Sequence, residues 1–243
     1  MNRKLPRFEF KYQMTVNTAR EIAKYIQKFG MQADKHAPPV DGSYTVTSLY
    51  FDSFRLSDYI EKSAGMIHRK KIRMRIYEPY LKNSDYVFFE IKHKHDMTNQ
   101  KTKIRLSRQE AEDLIKYGTS ILARRQWQDG EEEIRNRFLH FLIREPVKPN
   151  LIVRYKRQPF MNHDKSLRIT FDSGIEACLQ RNMSDNKFME QVSQDIVVME
   201  VKFSYTLPFW LKSVIVKHNL KRDAYSKYAN SLEKIYQYNP LLR

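Results

Sequence analysis

The sequence has one cysteine, Cys178, among 243 residues, so no intrachain disulfide can form, and a reducing compartment is the economical expectation. Glycine is scarce too. Six glycines are too few to build flexible linkers, and there is no repeat, low-complexity tract or heptad run to cut the chain into arrays or a coiled coil. No apolar run has the length needed to span a bilayer. The opening segment, Met1 to Gln13, mixes charges with aromatics and lacks the charged-then-apolar order of a signal peptide. These absences predict one soluble, unprocessed, cytoplasmic domain covering residues 1–243.

Acidic residues are also in short supply. Forty-four Lys plus Arg face 28 Asp plus Glu, a surplus of +16 that repels itself and answers to an anionic partner. Nucleic acid, a membrane surface and phosphate all qualify on charge alone, so placement has to decide.

Most of the chain alternates with the period of a strand. About eight strands are predicted, at Arg7–Gln13, Tyr44–Asp52, His68–Tyr77, Asp85–Lys94, Lys101–Leu106, Leu151–Arg157, Leu167–Asp172 and Ile196–Tyr205. Helices are predicted between them. Ser107 with Glu110 three residues later forms a capping box, and Gly118 is placed to end that helix. Asn17–Phe29, Phe54–Ser63, Glu131–Arg144, Pro208–Asn219 and Asp223–Tyr238 complete the set, while Ser173–Gln194 lacks a period and Pro146–Pro149 reads as a break.

Residues two apart on a strand share a face, so alternation sorts the charges. Arg69, Lys71, Arg73 and Arg75 oppose Ile72, Met74 and Ile76. Arg7, Glu9 and Lys11 oppose Phe8 and Phe10. Glu90, Lys92 and Lys94, with Phe88, oppose Val87, Phe89 and Ile91, and Lys101, Lys103 and Arg105 oppose Ile104 and Leu106. Arg168, Thr170 and Asp172 oppose Leu167, Ile169 and Phe171, and Glu200 with Lys202 opposes Met199, Val201 and Phe203. An ordinary solvated sheet face mixes signs with Thr, Ser and Gln; here Lys and Arg dominate, and neighbouring like charges destabilise a sheet unless an anion neutralises them. The pattern predicts an α+β protein: a closed antiparallel barrel of about eight strands, charged side inward and helices packed outside, wide enough for a narrow ligand. A linear phosphate chain suits such a lumen, since Arg clamps phosphate bidentately and Lys meets it as a point charge.

The strings RFEFKY, SLYFDS, YIEKSAG, RKKIRMRIY, FFEIKHK, KTKIRL, RYKRQPF, RITFD, VMEVKF and YSKY follow one another from Arg7 to Tyr228. In that order the chain resembles the VTC domain, the polyphosphate polymerase branch of the triphosphate tunnel metalloenzymes. The resemblance implies an eight-stranded tunnel that binds ATP and a growing polyphosphate. It implies Lys11, Arg73, Arg75, Lys92, Lys103, Arg157 and Lys227 as phosphate-binding groups and Glu200 as the metal-binding glutamate. Arg157 is out of phase with Arg154 and Lys156, so Arg154 stays a candidate beside it unless a bulge near Pro159 shifts the register. Arg7 stands where the tunnel phosphatases and cyclases carry the first of two alternate glutamates, a departure that weighs against a purely hydrolytic enzyme.

The expected reaction is transfer of the terminal phosphoryl group of ATP to phosphate or to a polyphosphate end, with ATP, inorganic phosphate and polyphosphate as partners. Such a transfer needs alignment and charge stabilisation more than covalent chemistry. Glu200, joined by Glu90, is the candidate ligand set for a divalent Mg or Mn ion, which suits carboxylate and phosphate oxygens. Glu90 has a second reading as a counter-charge for its lysine neighbours. Glu9, Arg69, Lys71 and Lys202 are supporting residues on the same faces. His93 and His95 read as a surface pair, having no cysteine partner. A tunnel triphosphatase and a non-catalytic polyanion-binding module are the competing readings; nucleic acid is not expected, because Phe8, Phe10, Phe89 and Phe171 lie opposite the charges.

Overall fold

The computed structural model describes residues 7–34, 42–95, 98–128, 130–144, 146–183 and 188–238. Residues 1–6 of the opening segment and residues 184–187 of the aperiodic stretch lie outside them. In chain order the elements are β1 (Arg7–Thr15), α1 (Val16–Gln27), β2 (Gln32–Ala33), β3 (Tyr44–Asp52), α2 (Ser57–Ser63), β4 (Arg69–Ile76), β5 (Tyr86–His95) and β6 (Thr98–Ser107). They continue with α3 (Arg108–Tyr117), α4 (Glu132–Arg144), β7 (Lys148–Met161), β8 (Leu167–Cys178), β9 (Glu190–Gln191), β10 (Ile196–Ser204), α5 (Phe209–Lys217) and α6 (Lys227–Tyr238).

The strands form an antiparallel sheet in the order β1-β10-β8-β7-β3-β4-β5-β6, with β2 on β7 and β9 on β8. The eight expected strands make up this path. The two additions are two residues each, too short to register as a period. Among the described residues no hydrogen-bonded ladder joins β1 to β6, so the pairings give the eight-strand path and not its closure into a barrel. The expected break at Pro146–Pro149 falls between α4, which ends at Arg144, and β7, which takes up its last two residues from Lys148; β8 runs past the expected strand end, through Gly174 at φ +57°, to Cys178.

The chain divides into two compact units. The first comprises Met1–Thr45, Tyr155–Ile175 and Ser193–Ser226; the second comprises Val46–Arg154, Glu176–Val192 and Lys227–Arg243. In the first, β1, β10 and β8 turn Tyr12, Met14, Val197, Met199, Val201, Ile169 and Phe171 onto Ile22 and Ile26 of α1 and Leu211 and Val214 of α5. In the second, Leu49, Phe51, Ile72, Met74, Val87, Phe89, Ile91, Ile104 and Leu106 pack against Ala111 and Leu114 of α3 and Phe138 and Leu142 of α4. Each large apolar side chain sealed this way contributes roughly 1.5–3 kcal/mol, and apart from Leu49 and Phe51 of β3 both layers belong to the faces that alternation marked as apolar.

Local signals set the helix ends. Ser107 Oγ accepts from the Glu110 amide at 3.2 Å while Glu110 Oε2 accepts from the Ser107 amide at 2.7 Å, the predicted reciprocal cap of α3. Helix α2 starts later than its pattern suggested, because its first amides are capped from β3: Asp52 Oδ1 accepts from Asp58 N at 3.0 Å and Oδ2 from Tyr59 N at 3.2 Å.

Candidate functional site

The polar face of the second unit is a grid set by strand register. Tyr50, Arg73, Glu90 and Lys103 form one row across β3 to β6, and Ser48, Arg75, Phe88 and Arg105 form the next. Lys71, Lys92 and Lys101 form a third across β4 to β6, and Arg69 faces Lys94 beyond it. Among the described residues nine cations thus share the face: Arg69, Lys71, Arg73, Arg75, Lys92, Lys94, Lys101, Lys103 and Arg105. Glu90 is the one carboxylate that β4, β5 and β6 carry among the described residues.

Glu90 is buried and held by two cations. Arg73 donates from Nε at 2.9 Å and from Nη2 at 2.8 Å to Oε2, and Lys101 Nζ lies 2.5 Å from Oε1. Burial works to raise the carboxyl's pKa, but Arg73, Arg75 and Lys101 outweigh it and hold the group at about 2. Lys101 moves the other way. Burial, with Arg73 and Arg75 adding to it, brings its ammonium down to about 8 against the pull of Glu90. Arg75 is buried and donates from Nε to Ser48 Oγ at 3.2 Å.

Lys227 joins this unit from the first turn of α6. Tyr228, beside it, donates to Asp52 Oδ2 at 2.6 Å, accepts from Asn150 Nδ2 at 3.0 Å, and stacks on Tyr50 with centroids 5.0 Å apart. The buried phenol of Tyr50 reports the local charge. Burial raises its pKa, yet Arg73, Arg75 and Lys227 together bring it below the ordinary phenol value. Lys103 lies over the Phe88 ring at 4.1 Å, which steadies its stem at the exposed edge of the face.

The first unit carries a face of different character. Glu9, Lys202 and Arg168 form one row across β1, β10 and β8, and Lys11, Glu200 and Thr170 form the next. Signs alternate here. Lys202 Nζ sits 2.6 Å from Glu200 Oε1 and 3.9 Å from Glu9 Oε2; Lys11 Nζ lies 3.5 Å from Glu9 Oε1 and donates to the Tyr225 carbonyl at 3.0 Å. Arg157 forms a fork with Asp172, Nε to Oδ1 at 2.6 Å and Nη2 to Oδ2 at 2.7 Å. Burial opposes the guanidinium charge, and Asp172 outweighs it, with Tyr155 and Glu200 on the same side, so Arg157 stays ionised.

Arg154 stands apart from these rows. It lies in the second unit, donating to the Pro79 carbonyl at 2.9 Å and pairing with Glu176 at 3.3 Å. Its Nε donates to Thr47 Oγ1 at 3.4 Å, and Thr47 alternates with Ser48 and Tyr50, on the side of Leu49 and Phe51. The out-of-phase pair Arg154 and Arg157 is thereby separated, each with its own carboxylate.

No group of three or more His, Cys, Asp or Glu side chains suited to a metal occurs among the described residues. Two carboxylates, Glu9 and Glu200, do converge on the Lys202 ammonium. A pair of hard oxygen donors around one cationic point is a donor set that Mg²⁺ accepts when phosphate oxygens and water supply the remaining positions. Glu90 is held at shorter range, with Arg73 at 2.8 Å and Lys101 at 2.5 Å from its oxygens, against 3.5 and 3.9 Å from Lys11 and Lys202 to those of Glu9.

Alternation placed Lys101 and Asp172 on the polar faces but not their partners, and it did not single out Tyr50 or Ser48. Those come from cross-strand register or from a remote partner, signals that no local window carries.

Residues 6–236 match the family model described as VTC domain. Among solved structures, a Bacillus halodurans protein named as a candidate adenylate cyclase aligns over 91% of this chain and 94% of its own, at 14% identity and a TM-score of 0.52. A Hippeastrum protein named as a candidate adenylyl cyclase with a dominant triphosphatase activity aligns over 93% and 94%, at 12% identity and a TM-score of 0.52. At those identities the likeness is one of fold. No curated protein matches the chain. Among the described residues no helix is long and apolar enough to cross a membrane.

Proposed function

The chain belongs to the VTC-domain family, a member of the triphosphate tunnel fold, and from that premise we propose that it is a polyphosphate polymerase acting in the cytoplasm. In this reading the eight-strand path closes into the tunnel that its relatives' fold implies. One observation carries the substrate class: nine cations against one carboxylate on the shared polar face of β4 to β6, among the described residues. Side-by-side lysines such as Lys71, Lys92 and Lys101 repel one another, and a ligand with a negative charge on every unit relieves that repulsion along its whole length.

The proposed step is in-line. A terminal phosphate oxygen of inorganic phosphate or of polyphosphate attacks the γ-phosphorus of ATP, the bond to the β-phosphate oxygen breaks, and ADP leaves with that electron pair. Arg73, Arg75, Lys92, Lys103 and Lys227 bind and align phosphoryl oxygens, with Arg69 and Lys71 continuing the track. Lys11 and Arg157 do the same beside the mixed face. Glu200 with Glu9 would hold a divalent Mg or Mn ion, whose charge neutralises phosphate oxygens when bound. Glu90 serves as the buried counter-charge that orients Arg73. No serine, cysteine or histidine nucleophile is required.

Incubation with ATP and Mg²⁺ or Mn²⁺ tests the reading: acid-labile polymer lengthening with time, together with ADP, is expected. Phosphate release without polymer would instead assign the chain as a tunnel triphosphatase, and binding of polyphosphate with no ATP turnover would reduce it to a binding module.

A further inference from the structure

Away from its charged face, the first unit carries a surface patch that is apolar, aromatic and basic at once. Helix α5 sends Leu211 and Val214 into the core and leaves Phe209 84% and Val216 78% exposed on its outer side. Beside them Phe29 stacks on Trp210 with centroids 4.9 Å apart and planes 11° from parallel, and Tyr25 lies 5.0 Å from Phe29. Exposed lysines sit on the same elements: Lys24 in the last turn of α1 and Lys28 just after it, Lys212 and Lys217 on α5. From Phe209 the chain meets no acidic residue until Asp223.

We propose that this patch docks the protein on an anionic lipid surface, with Phe209 and Val216 entering the acyl boundary and the lysines meeting the headgroups. The combination fits that partner physically. Rings with an apolar body settle at headgroup depth, apolar side chains on one helix face supply buried area, and each lysine near an anionic leaflet adds attraction. A second copy of this chain is a poor occupant, because two surfaces of one +16 protein bring cation rims together. Single-stranded nucleic acid needs successive π-faces along a groove, whereas Val216 offers none.

The test uses the full chain and vesicles of phosphatidylcholine with about one third phosphatidylglycerol, enough to give a negative surface. Trp127→Phe leaves Trp210 as the sole tryptophan reporter. Cosedimentation with these vesicles, a blue shift of Trp210 emission, and weakening with salt are expected. Phe209→Ser with Val216→Ser should lower partitioning roughly tenfold or more by removing inserted area. Lys212→Gln and Lys217→Gln should each lower it about fivefold. An unchanged melting temperature in the serine variant separates lost docking from unfolding, and Phe209→Ser alone replaces it if the pair unfolds. Absence of binding to the anionic vesicles overturns the proposal. So does binding that the serine variants leave intact, which is adsorption of a net-positive chain. Patch-dependent dimers, or patch-dependent capture of single-stranded DNA in place of vesicles, would assign the surface to the other occupants.

Discussion

Replacing Arg157 by methionine removes the guanidinium from a fork whose other half, Asp172, has a fully buried side chain. The bonds at 2.6 and 2.7 Å are then lost, and the buried carboxylate loses the guanidinium charge that the fork supplies. Breaking one partner of such a pair costs about 3–5 kcal/mol, because most of the penalty is the stranded charge and not the missing bonds. For a chain of this size each kcal/mol moves the melting temperature by about 2–4 °C, so a drop of roughly 6–20 °C is expected at neutral pH. Adding Asp172→Leu removes the stranded charge and should recover most of the loss, since a packed apolar pair often replaces a buried ion pair at little cost. Thermal unfolding of the wild type, both single variants and the double variant closes the cycle. ATP turnover measured on the same four proteins separates the two roles of Arg157: recovered stability with turnover still absent is expected if its guanidinium also meets phosphate. A single variant that loses less than about 1 kcal/mol, or a double variant as unstable as the single, refutes the stranded-charge argument. Full turnover in the double variant removes Arg157 from the site.

Three further outcomes are expected. Lys103→Glu reverses an exposed charge that lies over the Phe88 ring, so folding should be unaffected while polyphosphate binding weakens by roughly tenfold to a hundredfold, the range of one charge-assisted contact; unchanged affinity in a filter-binding titration would take Lys103 off the phosphate track. Glu200→Gln should raise the Mg²⁺ or Mn²⁺ concentration for half-maximal turnover by roughly tenfold or more, and an unshifted metal titration discards its role as ligand. Glu90 is depressed from 4.5 to about 2, so its contribution is complete above about pH 4.5 and is lost as pH falls toward 2. That contribution is of order 3 kcal/mol for its buried side chain. Glu90→Gln should therefore lower stability at pH 7 and flatten the acid limb between those values, as read by urea unfolding at a series of pH values; a parallel acid limb in both proteins contradicts the assignment.

The eight long strands were legible because alternation is a local property. In β4, Lys71, Arg73 and Arg75 recur at period two on one face, and Ile72, Met74 and Ile76 recur at the same period on the other. The same holds for the capping box of α3, whose two partners lie three residues apart. Helix α2 was only partly legible, because its first amides are capped by Asp52, a residue that reaches them from the end of β3. The two-residue strands β2 and β9 are too short to carry a period at all.

By itself, the sequence determined which side chains share a face, and with it the excess of cations on β4 to β6, since a strand's two-residue repeat needs nothing beyond the chain's own neighbours. Tertiary structure decided who meets whom across strands. Lys101 reaches Glu90, Arg157 takes Asp172 while Arg154 takes Glu176, and Tyr228 anchors the start of α6 on Asp52. Those pairings depend on strand register and on contacts between residues far apart in the chain, and no local pattern encodes either.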